Sequence, residues 1–229
     1  MGAPSWLGIG AQRSGTTWFT ALLCQHPQVD LGTNDVKEQQ LLHRVADGLV
    51  PQAEYFDLFP DDGIRRGEFS PSYLRHPSMS ALVARTMPAA PIVVLLRDPV
   101  ERYRSAMRLA AFRGRSYPFP VPQQLQTWAG MYADQLDAWA HFVGRDRLKV
   151  MVYEQARTEP QAAVDLVWRD LGLEPVPLQH SERPSPTTSR ASWDWPEGTR
   201  EMLQVLYSPQ ARRLVDDWGL DLTAWVSLA

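Results

Sequence analysis

The 229-residue sequence predicts an α/β protein in which a central parallel β-sheet is flanked by helices. Short apolar segments typical of buried strands alternate along the chain with segments of helical periodicity. Residues 91–96 form a continuous β-branched and apolar run, which is the pattern of a strand covered on both faces of a parallel sheet. The chain is long enough for one sizeable core, so we predict a single domain over residues 1–229.

The individual elements follow from apolar spacing and from the residues that interrupt it. Two units of strand, loop and helix share one design, because each strand ends abruptly, at Gly10 or at Arg97, and a helical pattern follows. Pro99 suits the first turn of the second helix. In chain order we predict strands over 5–10, 91–96 and 148–153, helices over 16–25, 100–112, 128–142 and 160–171, and surface loops over 114–122 and 182–198.

The composition excludes several classes of protein. The net charge is −3, so the chain has no global basic field for nucleic acid and any anion site must be local. Cys24 is the only cysteine, which excludes an intramolecular disulfide and a cysteine-based zinc site. No segment reaches the roughly 20 apolar residues that a membrane span needs. We therefore expect a cytoplasmic protein with no membrane span and no nucleic-acid partner.

The segment from Gly10 to Thr17 lies where a strand passes into a helix, a position that offers backbone N–H groups and a positive dipole end to an anion. Gly10 and Gly15 have the spacing of a nucleotide phosphate loop. The next two residues, Thr16 and Thr17, stand where such loops carry lysine and then serine or threonine. The cation is instead Arg13, inside the loop. The pattern predicts a phosphate site without a standard ATP-binding motif; the alternative is a glycine turn with a solvated arginine.

A second group of anion-binding side chains follows the strand over 91–96. Arg97 comes directly after that strand, and Ser105 lies in the helix that follows. Arginine binds phosphate through a planar bidentate fork, and a serine hydroxyl adds a further donor. The alternative is a surface helix whose arginines pair with Glu101. Because ligands collect at the carboxyl ends of parallel strands, two anion sites at one edge suit a nucleotide phosphorylated at two positions.

These segments resemble motifs of the sulfotransferases that use 3′-phosphoadenosine 5′-phosphosulfate (PAPS), a P-loop-related α/β family. Residues 10–18 are similar to the family's 5′-phosphosulfate loop, and residues 96–105 to its 3′-phosphate motif. Residues 37–42 are similar to a Lys-Glu segment of the heparan-type and other carbohydrate members, and residues 67–73 to a later motif. The resemblance is closest to the carbohydrate-type and bacterial members, and it implies the P-loop-like sulfotransferase fold.

The resemblance further implies transfer of a sulfuryl group from PAPS to a hydroxyl by in-line displacement, with 3′,5′-adenosine bisphosphate (PAP) as product and no metal. Glu38 would be the general base and Arg13, where most members have lysine, would stabilise charge on the departing 5′-phosphate. Lys37 would steady the sulfuryl oxygens or depress the pKa of Glu38. The predicted nucleotide-binding residues are Gln12, Arg13, Ser14, Gly15, Thr16, Thr17, Trp18, Arg97, Ser105 and Arg190.

The acceptor is expected to be a carbohydrate or a small-molecule or natural-product hydroxyl. Its predicted contacts are Lys37, Glu68, Ser70 and His43. His43 is also the alternative base, although five residues along a helix would turn it about 140° away from Glu38. Phe69 stands in place of a lysine, which argues against a highly anionic polysaccharide. Trp193 and Trp195 either stack on the acceptor or pin their loop to the core.

Two other functions stay open at the level of sequence. One is a P-loop kinase of a small metabolite, which would use ATP and magnesium; the lack of a lysine after Gly15 argues against it. The other is a non-catalytic nucleotide-binding protein, which a substitution of Glu38 without effect on turnover would favour.

Overall fold

The protein is described by a computed structural model that covers residues 2–112, 121–182 and 193–228. Its centre is a sheet of five parallel strands in the order β2-β3-β1-β4-β5. The strands are β1 (Trp6–Gly10), β2 (Val29–Leu31), β3 (Arg65–Phe69), β4 (Ile92–Leu96) and β5 (Leu148–Val152). This arrangement confirms the predicted α/β class with a parallel sheet.

Helices connect the strands and cover both faces of the sheet. They are α1 (Thr16–Leu23), α2 (Leu42–Ala46), α3 (Gln52–Phe56), α4 (Ser80–Thr86), α5 (Pro99–Phe112), α6 (Val121–Trp128), α7 (Tyr132–Val143), α8 (Tyr153–Thr158), α9 (Pro160–Asp170) and α10 (Thr199–Asp216). Short 3₁₀ turns lie at Tyr73–Arg75, Pro77–Met79 and Arg145–Arg147. None of the helices within the described ranges has the length and apolar character needed to cross a bilayer.

The continuous apolar run of β4 is explained by two cores. Ile92, Val94 and Leu96 pack into one core together with α4 and α7, and the intervening Val93 and Leu95 pack into the other, formed with α1 and α9. All five side chains are fully buried. A strand covered on both faces loses the polar alternation of a surface strand, which is why its sequence is apolar throughout.

Two predicted boundaries differ from the structure, and one helix was not predicted. The helix expected over 128–142 begins only at Tyr132, because a turn at Gly130 follows the end of α6. A Cβ atom at Gly130 would lie 2.6 Å from the ring of Tyr207, so glycine is required by close packing there. Tyr153, expected to end a strand, begins α8. Helix α10 was not predicted, and Pro209 inside it weakens the helical pattern of its sequence.

The end of the chain returns to the carboxyl end of β4. Asp98 is buried and caps α5, since its carboxylate accepts hydrogen bonds from two backbone N–H groups of the first turn, at 3.0 and 3.2 Å. The same carboxylate accepts bonds from the N–H and the hydroxyl of Ser227. Beside it, Glu154 accepts bonds from the backbone N–H of Asp98 at 3.2 Å and from the indole N–H of Trp225 at 3.0 Å. The start of α5 is thus fixed by the C-terminal segment.

Candidate active site

The phosphate loop joins β1 to α1, and its last residue, Gly15, has a φ of 81°. A Cβ atom at Gly15 would lie 2.4 Å from the ring of Tyr153, so both the backbone conformation and the packing require glycine. No side chain of the described residues caps the start of α1. Within that part of the chain, the N–H groups of its first turn therefore have no side-chain cap. They lie at the carboxyl end of the sheet, where an anion binds readily.

Arg13 and Ser105 connect the phosphate loop to the second predicted anion site. The Nε of Arg13 donates a hydrogen bond to the Oγ of Ser105 at 3.2 Å. A guanidinium nitrogen of Arg97 donates to the backbone carbonyl of Arg13 at 3.4 Å. The two groups, separated by 92 and 84 positions in sequence, thus form one continuous surface at the ends of β1 and β4.

The arginines of the second site have different environments. Arg97 is 18% exposed, and its guanidinium lies 5.6 Å from the ring centroid of Tyr153. The carboxylate of Glu101 is 3.9 Å from Arg97 and 3.8 Å from Arg104, so its ion pairs are long. Arg102 is fully buried and donates to the side chain and carbonyl of Gln126 in α6. Arg97 is therefore the arginine of this motif that joins the phosphate loop, and Arg102 is a structural residue.

Lys37 reaches the start of α1 from a different segment. Its Nζ donates to the hydroxyl of Thr16 at 3.3 Å and to Oε1 of Glu38 at 2.8 Å. The ammonium also lies 5.5 Å from the ring centroid of Phe69. Lys37 is 16% exposed and Glu38 42% exposed, so the carboxylate is the more accessible of the pair. Burial lowers the pKa of Lys37, and the nearby carboxylates of Glu38 and Glu68 oppose that shift.

The segment that carries Lys37 and Glu38 is irregular, whereas the sequence suggested the start of a helix. Helix α2 begins at Leu42, so the helical rotation that separated His43 from Glu38 does not apply. The ring of His43 lies 6.3 Å from the ring of His76 and 6.4 Å from that of Tyr73. His43 is thus in α2 and packs against the 3₁₀ turns, while Glu38 lies beside Lys37 at the phosphate loop.

Three residues expected at the ligand surface lie beneath it. Glu68 and Ser70 are fully buried, and the Oγ of Ser70 donates to Glu68 at 2.5 Å. Trp18 is also buried, and its indole N–H donates to the carbonyl of Ser181 at 3.0 Å. Because their polar groups are engaged within the protein, we reassign them from ligand contact to support of the surrounding segments. Phe69 is fully buried as well, so its identity does not set the charge of the acceptor surface.

The other predicted residues lie as follows. Thr16 is buried at the start of α1, Thr17 is exposed, Gln12 is partly buried and Ser14 is fully buried. Trp195 stacks on Tyr103 of α5, with centroids 5.9 Å apart and an angle of 11°, and Trp193 lies 4.9 Å from Trp195. These contacts favour the anchoring role of the two tryptophans. Arg190 falls outside the described residues.

Asp98, Glu154 and Tyr153 support the site through their contacts, and none of them was given a binding role from the sequence. Asp98 had a readable signal, since an aspartate directly before a proline at a helix start is a typical N-cap. The roles of Glu154 and Tyr153 were not predicted, because they depend on β5 lying next to β4. A cavity of about 570 Å³ between α10 and residues 220–228 contains none of the predicted site residues.

Comparison with known proteins identifies relatives of this arrangement. The chain is 31% identical over 102 residues to the membrane-associated sulfotransferase kil1 of Dictyostelium discoideum, covering 43% of this chain and 21% of that protein. It is 26% identical over 196 residues to the mouse bifunctional heparan sulfate N-deacetylase/N-sulfotransferase 4, covering 75% and 22%. The chain therefore spans about a fifth of the length of these curated relatives.

Solved structures share the fold. A sulfotransferase from Alicyclobacillus acidocaldarius aligns with 99% of this chain and 100% of its own, with a TM-score of 0.79 and 24% identity. The sulfotransferase domain of the curacin biosynthetic pathway aligns over 77% of this chain and 76% of its own, with a TM-score of 0.56 and 14% identity. A model of the sulfotransferase family matches residues 34–177, which include Lys37, Glu38, Arg97 and Ser105. The chain belongs to the sulfotransferase family.

Proposed function

We propose that this chain transfers a sulfuryl group from PAPS to a hydroxyl of a carbohydrate or small-molecule acceptor. The observation that carries the proposal is the contact between Arg13 and Ser105, which joins the phosphate loop to the predicted 3′-phosphate motif. A donor with phosphate at both the 3′ and the 5′ position matches two adjacent anion sites better than a nucleotide with a single phosphate chain. A cytoplasmic location stays a prediction.

The chemistry of the donor set supports this nucleotide. Arg13, Arg97 and Lys37 lie around the uncapped start of α1, so three cations accompany the free N–H groups of a helix terminus. Guanidinium groups and helix termini both bind phosphate and sulfate oxygens. Arg97 and Ser105 would hold the 3′-phosphate, and the loop with Thr16 would hold the 5′ group. When bound, PAPS supplies the sulfuryl group that is transferred.

Glu38 and Lys37 have the geometry for the proton and charge movements of the reaction. We assign Glu38 as the base because its carboxylate is accessible and is bound by the ammonium that also contacts Thr16. It takes the proton of the acceptor hydroxyl while the new oxygen–sulfur bond forms and the bond to the 5′-phosphate breaks. Lys37 and Arg13 stabilise the negative charge that develops on the sulfuryl and departing phosphate oxygens. Neither step needs a covalent intermediate on the protein.

The acceptor class follows only from the relatives. The mouse relative is named for action on heparan sulfate, which supports a carbohydrate acceptor as the first candidate. A natural-product hydroxyl is the second candidate, supported by the structural likeness to a domain of the curacin pathway. A screen of PAPS turnover over sugars, phenols, lipid alcohols and natural-product hydroxyls separates them.

A thermal-shift comparison tests the nucleotide. We expect saturating PAP to raise the melting temperature, because ligand at 100 times its Kd stabilises a protein by about 2.7 kcal/mol. The Arg97→Ala variant should lose most of this shift, and Arg104→Ala, whose side chain is exposed on α5 after Arg97, should keep it. Stabilisation by ATP with magnesium and none by PAP would overturn the proposal in favour of a kinase.

A further inference from the structure

The irregular segment over residues 37–42 is fixed by a ladder of hydrogen bonds to the end of β3 and the turn after it. The carbonyl of Lys37 accepts a bond from the N–H of Phe69 at 2.9 Å. Three N–H groups of the segment are bound by side chains of residues 68–73, at distances of 3.0, 3.3 and 3.1 Å. The acceptors, in order along the segment, are Glu68, Ser70 and Tyr73. Side chains, more than strand pairing, therefore determine the backbone path between Lys37 and α2.

Glu68 is the centre of this network. It is fully buried, and its Oε2 accepts bonds from the N–H of Gln39 at 3.0 Å and from Ser70 at 2.5 Å. Its Oε1 accepts bonds from the hydroxyls of Tyr55 at 2.7 Å and Tyr73 at 3.1 Å. Every one of these partners is able to donate, which is the pattern that satisfies an ionised carboxylate. Desolvation raises the pKa of Glu68, and these hydrogen bonds act against the rise.

The charge of Glu68 also acts on Lys37. Within the described residues, the carboxylates of Glu38 and Glu68 act on the Lys37 ammonium, which also contacts the Thr16 hydroxyl and the Phe69 ring. Glu38 is the exposed carboxylate and Glu68 the buried one, so solvent screens Glu68 much less. A buried anion near a largely desolvated ammonium favours the charged form of that ammonium.

We propose that Glu68 is a positioning residue, which holds the backbone of residues 37–42 in place and keeps Lys37 charged for the transfer reaction. The inference rests on the proposed function, because it assumes that Lys37 and Glu38 act on the transferred group. Glu68 itself contacts neither nucleotide nor acceptor, since its carboxylate lies beneath the segment.

The first test is Glu68→Gln, which keeps the size of the side chain and removes its charge. Amide hydrogen exchange of peptides covering residues 34–42 should become faster, because the Gln39 N–H loses its carboxylate acceptor. With PAPS and any acceptor that supports turnover, kcat should fall about 10- to 100-fold, since small misplacement of reacting groups has costs of that size. The affinity for PAP should stay within about twofold of the wild type.

A pH profile separates the charge from the hydrogen bonds. Loss of the buried anion should lower the pKa of Lys37 further, so the alkaline limb of kcat should move to lower pH in Glu68→Gln. Glu68→Asp keeps the charge but shortens the side chain, so its alkaline limb should stay near that of the wild type while its kcat falls.

Two milder variants keep the inference testable if Glu68→Gln does not fold. Ser70→Ala removes a hydroxyl that contacts both Glu68 and the N–H of Gln40, and it should lower kcat about 5-fold. Tyr55→Phe removes a bond from α3 to Oε1 of Glu68, whereas the N–H of Gln39 donates to Oε2, so it should change kcat less.

Each outcome has a definite meaning. Unchanged kcat and unchanged exchange in Glu68→Gln would overturn the inference, and so would equal losses of kcat in Ser70→Ala and Tyr55→Phe. A loss of PAP affinity as large as the loss of kcat would also overturn it, by indicating general collapse of the site. Absence of PAPS turnover and of PAP binding in the wild type would instead refute the proposed function.

Discussion

Lys37 supplies at the phosphate loop an ammonium group, which the loop's own sequence lacks. Thr16 occupies the position where a nucleotide phosphate loop carries lysine, and the Nζ of Lys37 lies 3.3 Å from the Thr16 hydroxyl. An ammonium is therefore present at the helix start, delivered from a segment 21 residues later. The missing lysine alone thus argues less against ATP chemistry than the sequence suggested. The contact between Arg13 and Ser105 is instead the observation that favours PAPS over ATP as the nucleotide.

The identity of the base is decided by a matched pair of substitutions. We expect Glu38→Gln to lower kcat by a factor of about 10² to 10⁴, because a positioned general base contributes that much. Its exposed side chain makes little contribution to stability, so the melting temperature and the PAP shift should not change. His43→Gln is the control and should retain turnover. The reverse result would identify His43 as the base.

The buried carboxyl of Glu68 predicts a pH dependence of stability. Its pKa is raised in the folded protein above the ordinary value of 4.5, so the folded state binds the proton more tightly than the unfolded state. The contribution to stability is complete below about pH 4.5 and is lost as pH rises through the folded pKa. Urea unfolding of the wild type and Glu68→Gln at a series of pH values should show this decline only in the wild type. Parallel curves for the two proteins would refute the expectation.

The phosphate loop has a tightly constrained conformation at Gly15. Gly15→Ala should destabilise the protein by about 3 kcal/mol or more, because it combines a positive φ with a close contact to Tyr153. Gly63 provides the matched control, since it has a φ of 84° and no atom of the described residues lies within 4 Å of an added Cβ.

Gly63→Ala should therefore show the conformational cost alone, about 1 kcal/mol. Urea unfolding measures both values, and the PAP thermal shift should fall only in Gly15→Ala. Equal destabilisation of the two variants would mean that the ring of Tyr153 moves aside without cost.

Elements with a local pattern were predictable, and elements defined by distant partners were not. Strand β4 is apolar throughout because both of its faces are covered, and its identity was clear from sequence. Strand β3 contains Arg65, Arg66 and Glu68. These charged residues remove the apolar pattern of a buried strand, and only their partners in the fold explain them. Strand β2 has three residues, too few for a periodicity.

The same division applies to the site. Arg13, Arg97 and Ser105 were predicted at one sheet edge because the carboxyl ends of parallel strands meet, and their contacts confirm that placement. The burial of Glu68 and Trp18 had no sequence signal, because it depends on Tyr55, Ser181 and other residues that are distant in the chain. The type of a polar residue indicates the chemistry that its side chain can perform. Only packing in the folded protein determines whether that side chain faces the ligand surface or the interior.

The hydrogen bonds between Asp98 and Ser227 connect the segment over residues 220–228 to the predicted nucleotide site. Asp98→Ala should lower the free energy of unfolding by about 3 kcal/mol, since it removes a helix cap and leaves buried donors without an acceptor. Ser227→Ala loses one hydroxyl bond and should cost about 1 kcal/mol. The two losses should not add in the double variant, because they share one interaction. Urea unfolding of the four proteins checks this, and full additivity would contradict the contact.

This bond also affects how the protein is made. A ribosome extends the chain from its N-terminus at about 5–20 residues per second. Asp98 is therefore synthesised roughly 6 to 25 s before Ser227, which lies 129 positions later. All five strands have been synthesised by the time Ser227 is added, and until then the carboxylate that caps α5 lacks the donors from Ser227. The contacts of Ser227 with the predicted 3′-phosphate motif can therefore form only after all five strands have been synthesised.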